Sequence, residues 1–282
     1  MAERRHHVVL VTGASSGLGN ACATYLAKKG YVVYGTSRTP ELRPRRADEF
    51  FELIRMDVTN DDSVASGVSY VLAREGHIDT LICGHGFGIA GPVEETPIAD
   101  AMRQIDVNFM GVARIVHDVL PGMRATGGTI LVVGSLMGRT GLPFNAYYSA
   151  SKFALEGFVE SMRMELHGFP VRLALIEPGD FRTGFIAARE TIGLADTSPY
   201  AAAGRCTMTV IEDAERSGAD PVLFARLILK LVRKKHLRAR YTVGLWFNRF
   251  AITLKWILPH SLYEFLFRAY FRYRSKNGVH DV

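Results

Sequence analysis

Short runs of β-branched and aliphatic residues alternate along this chain with segments of helical period. That alternation constrains the fold more than any other feature. Strand-like runs fall at residues 8–11, 31–35, 52–56, 79–83, 129–134 and 171–176, with helical segments at 17–29, 61–74, 100–124 and 147–166. Strands joined by helices cannot form hairpins, so they pair in parallel. A parallel sheet buries both faces, which is why its strands read as nearly continuous apolar runs. The expectation is an α/β chain with a single doubly wound parallel sheet and helices on both faces.

No internal repeat, low-complexity tract or Gly/Ser-rich linker divides the chain. We expect one domain over residues 1–245, a lid near residues 183–220, and a C-terminal helical extension over residues 246–282. At 282 residues, 48% hydrophobic and 22% charged, the chain is long enough to pack a core without covalent staples. The cysteines, Cys22, Cys83 and Cys206, lack the close spacing of a zinc site or a disulfide scaffold. The polar stretch before residue 8 leaves no room for a signal peptide, and no apolar run is long enough to span a bilayer. A cytoplasmic protein is expected. The net charge of +6 is uneven: residues 222–282 hold 13 Lys and Arg against 2 Asp and Glu, leaving 21 basic and 26 acidic residues elsewhere. The basic tail reads first as a solvated helix face, then as a surface for acidic lipid. No nucleic-acid partner and no metal are expected.

The turn after the first strand is Thr12-Gly13-Ala14-Ser15-Ser16-Gly17-Leu18-Gly19. Unpaired N–H groups at a helix start attract phosphate, and glycines let the backbone approach it. After the second strand stand Thr36, Ser37 and Arg38, where an acidic residue would favour NAD by accepting from the ribose 2′-OH. Arg38 and Ser37 instead suit a 2′-phosphate, so NADP(H) is the expected cofactor. Asp57 and Val58 end the third strand where an adenine would rest; Asp57 would equally cap the turn that follows.

Tyr148 and Lys152 are four residues apart and share one helix face. An ammonium near a phenol favours the phenolate, giving an acid/base suited to an alcohol oxygen. Ser135, at the end of a strand, faces the same crevice. Tyr147, five residues from Lys152, points off the shared face.

With these motifs in this order the chain resembles the short-chain dehydrogenase/reductase family, whose fold is Rossmann-type. The resemblance covers roughly residues 7–245. It implies cofactor contacts at Thr12, Gly13, Ser15, Ser16, Gly17, Leu18, Gly19, Ser37, Arg38, Asp57, Val58, Gly84, Tyr148, Lys152, Pro178, Gly179 and Thr183. It implies catalysis by Ser135, Tyr148 and Lys152, with Asn108 holding a water of the proton relay. One departure stands out. Cys83-Gly84-His85-Gly86 replaces the family's usual Asn-Asn-Ala-Gly or Cys-Asn-Ala-Gly, so a glycine stands for the asparagine that steadies the sheet and a histidine for the alanine. The expected role of His85 is a tolerated variation, its ring turned to a backbone partner.

Phe185, Ile186, Ile192, Leu194 and Tyr200 give the lid an apolar lining, which suits a hydrophobic small-molecule substrate: a steroid, a retinoid or a long acyl chain. A 3-oxoacyl thioester reductase and a non-catalytic NADP sensor are the alternatives; a sensor has no need of the Ser135, Tyr148 and Lys152 set. In the extension, Phe247, Phe250, Leu254 and Ile257 keep a helical period, and Ser261 to Glu264 form a capping-box pattern. On the last helix we expect Leu262, Phe265, Leu266, Ala269, Tyr270 and Tyr273 to face the body and Phe267, Phe271, Arg268 and Arg274 to face outward. Exposed aromatics among basic residues mark an interfacial membrane helix, although a homo-oligomer contact has the same appearance. Such an extension resembles the family's steroid- and retinol-type members.

Overall fold

The computed structural model describes residues 6–42 and 50–273; Arg43, Arg45, Arg46 and Arg274 fall outside them. Strands β1 (Val8–Thr12), β2 (Val32–Ser37), β3 (Glu52–Arg55), β4 (Thr80–Cys83), β6 (Gly128–Val133), β7 (Val171–Pro178) and β9 (Arg240–Val243) form a parallel sheet in the order β3-β2-β1-β4-β6-β7-β9. A small second sheet pairs β5 (Ile89–Ala90) with β8 (Glu190–Thr191). The strand order reverses beside β1, where β2 and β4 diverge. A doubly wound sheet opens its ligand crevice there, at the carboxyl ends of the strands.

Alternation along β1 builds both layers of the core. Val8 and Leu10 join a cluster with Val64, Val68, Ile115 and Leu155. Val9 and Val11 join the opposite one with Cys22, Leu26, Phe224 and Ile228. The first face is covered by α2 (Asp61–Glu75), α4 (Gly111–Thr126) and α5 (Ala146–Glu165), the second by α1 (Gly17–Ala27) and α8 (Pro221–Val232). Their ends follow capping chemistry. The Asn60 side chain accepts from Ser63 N–H to open α2, and Gly76 closes it in the left-handed region at φ 75°. Asp220 caps α8, with Pro221 in its first turn.

The expected single helix over residues 100–124 is instead α3 (Ile98–Ile105), one wider π-type turn (Asp106–Met110) and α4. The bulge turns Asn108 fully inward, where its side chain bonds the backbone of a neighbouring loop. The lid contains α6 (Phe185–Ala188), β8 and α7 (Ala201–Arg216).

The extension forms α9 (Trp246–Ile257) and α10 (His260–Tyr273). The face expected on α10 holds for Tyr270, which packs inward, and for Arg268, which is exposed, but is reversed for the leucines and phenylalanines. Tyr263 and Phe271 are each 7% exposed, whereas Leu262, Phe265 and Leu266 are 44%, 63% and 46% exposed. Tyr263, Phe267, Tyr270 and Phe271 follow i, i+4, i+7, i+8 spacing, so they form a single stripe. Phe267, Tyr270 and Phe271 pack on Met208, Val210 and Ile211 of α7. Rings bury more area than leucines and win the inner face. The Tyr263 hydroxyl also pairs with that of Thr140 at 2.9 Å. The side chains of Ile186, Phe247 and Tyr273 lie outside the described residues.

Candidate active site

A cavity of about 750 Å³ opens at the carboxyl ends of the strands and runs from the first glycine turn to α10. Its end beside the first glycine turn is lined by Gly13, Ser15, Ser16, Gly17, Leu18, Ser37, Arg38, Asp57, Val58, Gly84, Pro178, Gly179 and Thr183. The turn needs its glycines. Gly13 has φ +67°, and a Cβ there would stand 2.7 Å from His85 Cα. A Cβ at Gly19 would stand 2.4 Å from the Gly13 carbonyl oxygen. Gly19 therefore lets helix α1 close against the turn rather than lining the cavity.

Thr12 also lies behind the wall, fully buried. Its hydroxyl accepts from Gly84 N–H at 3.1 Å and meets His85 Nδ1 at 2.6 Å. In place of the expected backbone partner the ring thus has a side-chain one, and its buried Nε2 finds no hydrogen-bond partner among the described residues. The His85 ring reaches from β1 to the start of α4, where its Nε2 would lie 2.9 Å from a Cβ at Gly111. The ring props the strand end against that helix, a task that fits the missing asparagine. Burial and the nearby Lys152 charge push the His85 pKa down to about 3, so the ring is neutral. Asp57 serves both readings. It lines the cavity, and its carboxylate accepts from Thr59 N–H at 2.9 Å and the Thr59 hydroxyl at 2.7 Å. Burial would raise its pKa, but these bonds and the Arg38 and Arg114 charges hold it below the usual range.

At the centre, helix α5 presents Tyr148 and Lys152 on one face, and the end of β6 delivers Ser135. Ser135 and Tyr148 line the cavity together. The Ser135 hydroxyl accepts from Met137 N–H at 3.1 Å, which fixes its orientation. The Lys152 ammonium stands 5.8 Å from the centre of the Tyr148 ring and donates to the Val133 carbonyl at 3.1 Å. Contrary to the expected lowering, burial pushes the Tyr148 pKa up to about 12, a shift only partly offset by Ser135. Burial also pushes Lys152 down to about 8. Desolvation dominates at both groups. Tyr147 turns away, its hydroxyl donating to the Val93 carbonyl at 3.4 Å.

Asn108 is behind this centre. Its Oδ1 accepts from Phe87 N–H at 3.0 Å, and its Nδ2 donates to the Phe87 carbonyl at 3.0 Å and the Ser151 hydroxyl at 3.1 Å. A Cβ at Gly86 would lie 3.2 Å from Asn108 Oδ1 and 3.6 Å from Lys152 Nζ. The bare backbone there leaves space beside both groups.

Several charged lining residues were not expected, Arg103, Arg189, Glu190 and Glu215 among them. Arg103 of α3 pairs with Glu190 of β8 at 2.9 Å and stacks over Phe87 at 4.9 Å, tying lid to body. Arg189 pairs with Glu215 of α7 inside the lid. Adjacent charges in a lid of small and apolar residues are the signal that would have found Arg189 and Glu190; their partners have none.

The family model for short chain dehydrogenases matches residues 7–191. This chain belongs to that family. It is 36% identical over 270 residues to 3-ketodihydrosphingosine reductase of Bacteroides thetaiotaomicron, covering 95% of this chain and 98% of that one. It is 40% identical over 188 residues to human retinol dehydrogenase 8, covering 63% of this chain and 60% of the relative. Among solved structures, a short-chain dehydrogenase from Streptomyces avermitilis superposes with a TM-score of 0.79 at 27% identity, covering 96% of this chain and 98% of that one. The chain is therefore an oxidoreductase of a family that uses a nicotinamide cofactor. The glycine turn, whose bare backbone at Gly13 and Gly17 lines the cavity, fits such a group. Among the described residues no cluster suits a metal ion, and no helix is long and apolar enough to cross a membrane.

Proposed function

We propose that this oxidoreductase interconverts a long-chain ketone and its alcohol using NADP(H), with Tyr148 as the acid/base. One observation carries the reading: Ser135, Tyr148 and Lys152 line the same cavity whose far wall is Tyr263, Phe267, Tyr270 and Phe271. The reacting polar atoms and an apolar berth are thus continuous. The retinol relative matches about three fifths of the chain, whereas the ketodihydrosphingosine relative matches nearly all of it, extension included. The extension walls the berth, so we favour the long-chain substrate over a steroid or retinoid.

The nicotinamide supplies the hydride for reduction or takes it up for oxidation. Ser135 donates to the substrate oxygen and polarises it. Tyr148 gives that oxygen its proton, or removes it in the reverse direction. A phenol with a raised pKa holds its proton until the oxygen becomes basic enough to take it. Lys152 places positive charge beside the ring and favours the phenolate left behind. Asn108, through Phe87 and Ser151, holds the loop backbone beside Lys152 in a position to retain a relay water. Arg38, exposed at the end of β2, would receive the 2′-phosphate with Ser37.

Trp256, Ile257, Leu262, Phe265 and Leu266 form an exposed apolar surface on α9 and α10. Leu254, Leu258 and Leu266 also line the cavity. We read this surface as a peripheral lipid contact through which an apolar substrate enters. A homo-oligomer contact is the competing occupant. NADPH consumption screened over long-chain ketones, steroids, retinoids and 3-oxoacyl thioesters tests the reaction. Turnover of long-chain ketones above the other classes is expected; turnover confined to thioesters would overturn the reading.

A further inference from the structure

Ser135 opens a short 3-10 turn, Leu136–Gly138, and is tied to it twice. Its hydroxyl accepts from Met137 N–H at 3.1 Å, and its carbonyl from Gly138 N–H at 2.9 Å. The turn lies flat on α5: a Cβ at Gly138 would stand 2.8 Å from the Lys152 carbonyl oxygen and 3.4 Å from Glu156 Cγ. Its outer side, Arg139 and Thr140, is held by the extension. Lys255 of α9 donates to the Arg139 carbonyl at 2.5 Å. The Arg139 guanidinium lies 5.5 Å from the centre of the Trp256 ring and donates to the buried Glu177 at 3.4 Å. The Tyr263 hydroxyl of α10 pairs with that of Thr140 at 2.9 Å. Packing alone does not call for this arrangement. Lys255 is brought up to a second cation, and burial and the Arg139 charge both lower its pKa. What the ammonium gains there is a carbonyl of the segment that carries Ser135. Arg139, Lys255 and Trp256 stand outside the cavity lining, so none of them is placed to touch substrate or cofactor.

We propose that Lys255 and Tyr263 are positioning residues: through Arg139 and Thr140 they hold the turn that orients the Ser135 hydroxyl. The extension is then part of the machinery of the reaction as well as a wall of the berth. The path is short. Arg139 N–H donates to the Leu136 carbonyl at 2.9 Å, and the next two donors along the turn bond Ser135 itself. A displacement of Arg139 is therefore passed back to Ser135. A group that polarises a reacting oxygen is sensitive to placement, and a shift of about 1 Å costs on the order of a hundredfold in rate. The assignment rests on the reading of Ser135 as the group that polarises the substrate oxygen, and it goes beyond that reading by naming what keeps Ser135 in place.

The test is a double-mutant cycle on reduction of the best long-chain ketone. Lys255→Met keeps the aliphatic stem and removes the donor. It should lower kcat roughly tenfold and leave KM within about twofold. Lys255→Arg, which retains a donor, should recover most of the loss. Tyr263→Phe keeps the ring in the cavity wall, removes only the bond to Thr140, and should also lower kcat. In a Ser135→Ala background, Lys255→Met should change kcat by no more than about twofold, because the group it orients is gone. A merely structural role would slow the Ser135→Ala enzyme as much as the wild type, overturning the proposal. So would a kcat that Lys255→Met leaves unchanged. If Ser135→Ala keeps full turnover, or no ketone consumes NADPH, the catalytic reading of Ser135 fails separately. Amide hydrogen exchange then decides whether the extension holds the turn. Exchange at Met137 and Gly138 at least about fivefold faster in Lys255→Met, with β1 unchanged, supports it; equal exchange in variant and wild type overturns it.

Discussion

His85 Nδ1 stands 2.6 Å from the Thr12 hydroxyl, at the end of the central strand. The ring fills the gap that Gly111 leaves open: a Cβ at 111 would lie 2.9 Å from His85 Nε2 and 2.8 Å from Val58 Cγ2. His85 is therefore a strut between the first strand and the start of α4, rather than a second proton donor.

Truncating that strut should be costly. His85→Ala removes a buried ring and one hydrogen bond, a loss of about 2–4 kcal/mol in denaturant unfolding. Gly111→Ala should also destabilise, but the double change should cost clearly less than the sum, because the new methyl enters the space the ring vacates. Additive costs would show that the ring and Gly111 are not in contact. The folded-state pKa near 3 lies below the ordinary 6.5, so the unfolded chain binds the extra proton between those values. Stability associated with His85 is complete above pH 6.5 and is lost as pH falls toward 3; His85→Asn should flatten that limb.

Lys152 should be a liability to stability that catalysis retains. Its pKa falls from 10.5 to about 8 on folding, so the unfolded chain holds more protons between those values. Stability therefore rises as pH climbs from about 8 to 10.5, and the buried ammonium costs on the order of 3 kcal/mol at pH 7. Lys152→Met should raise Tm at pH 7, remove this alkaline rise and abolish turnover. A lower Tm would mean that the bond to the Val133 carbonyl outweighs desolvation.

Arg38 should set the cofactor preference. Arg38→Ala should weaken NADPH binding roughly 10–100-fold, the loss of a charge-assisted contact, and leave NADH nearly unchanged. Fluorescence titration with both cofactors checks it. Equal losses, or a wild type that prefers NADH, would remove Arg38 from that role.

The outer face of α10 should carry lipid contact. Leu262→Ser with Phe265→Ser should reduce sedimentation with anionic vesicles, and raised salt should weaken it too. Phe271→Ser, on the inner face, should instead lower Tm. If the wild type ignores vesicles and the outer-face change turns dimers into monomers, the contact is between subunits.

The sheet was readable because fully buried parallel strands leave apolar runs, as in β1, β4 and β6. Tyr148 and Lys152 were readable because helical spacing alone puts them on one face. The π-type turn was not: Asn108 turns inward to bond Phe87, a residue of a separate loop, and no local pattern records that partner. The leucines and phenylalanines of α10 exchanged faces because a hydrophobic count treats Leu262 and Phe267 alike. Packing on α7 selects the aromatic stripe instead. Glu215 had no signal, since its partner Arg189 lies 26 positions away in the chain.

Turnover by Tyr148→Phe tests the central assignment most directly. The change removes one hydroxyl and keeps the ring that packs on Phe185. Single-turnover NADPH oxidation with the best long-chain ketone should fall about 10²–10⁴-fold, while NADPH affinity stays within about threefold, since the phosphate and 2′-phosphate contacts lie elsewhere. Tyr147→Phe should retain most activity. Substantial turnover in Tyr148→Phe, or a lethal effect of Tyr147→Phe, would contradict the account.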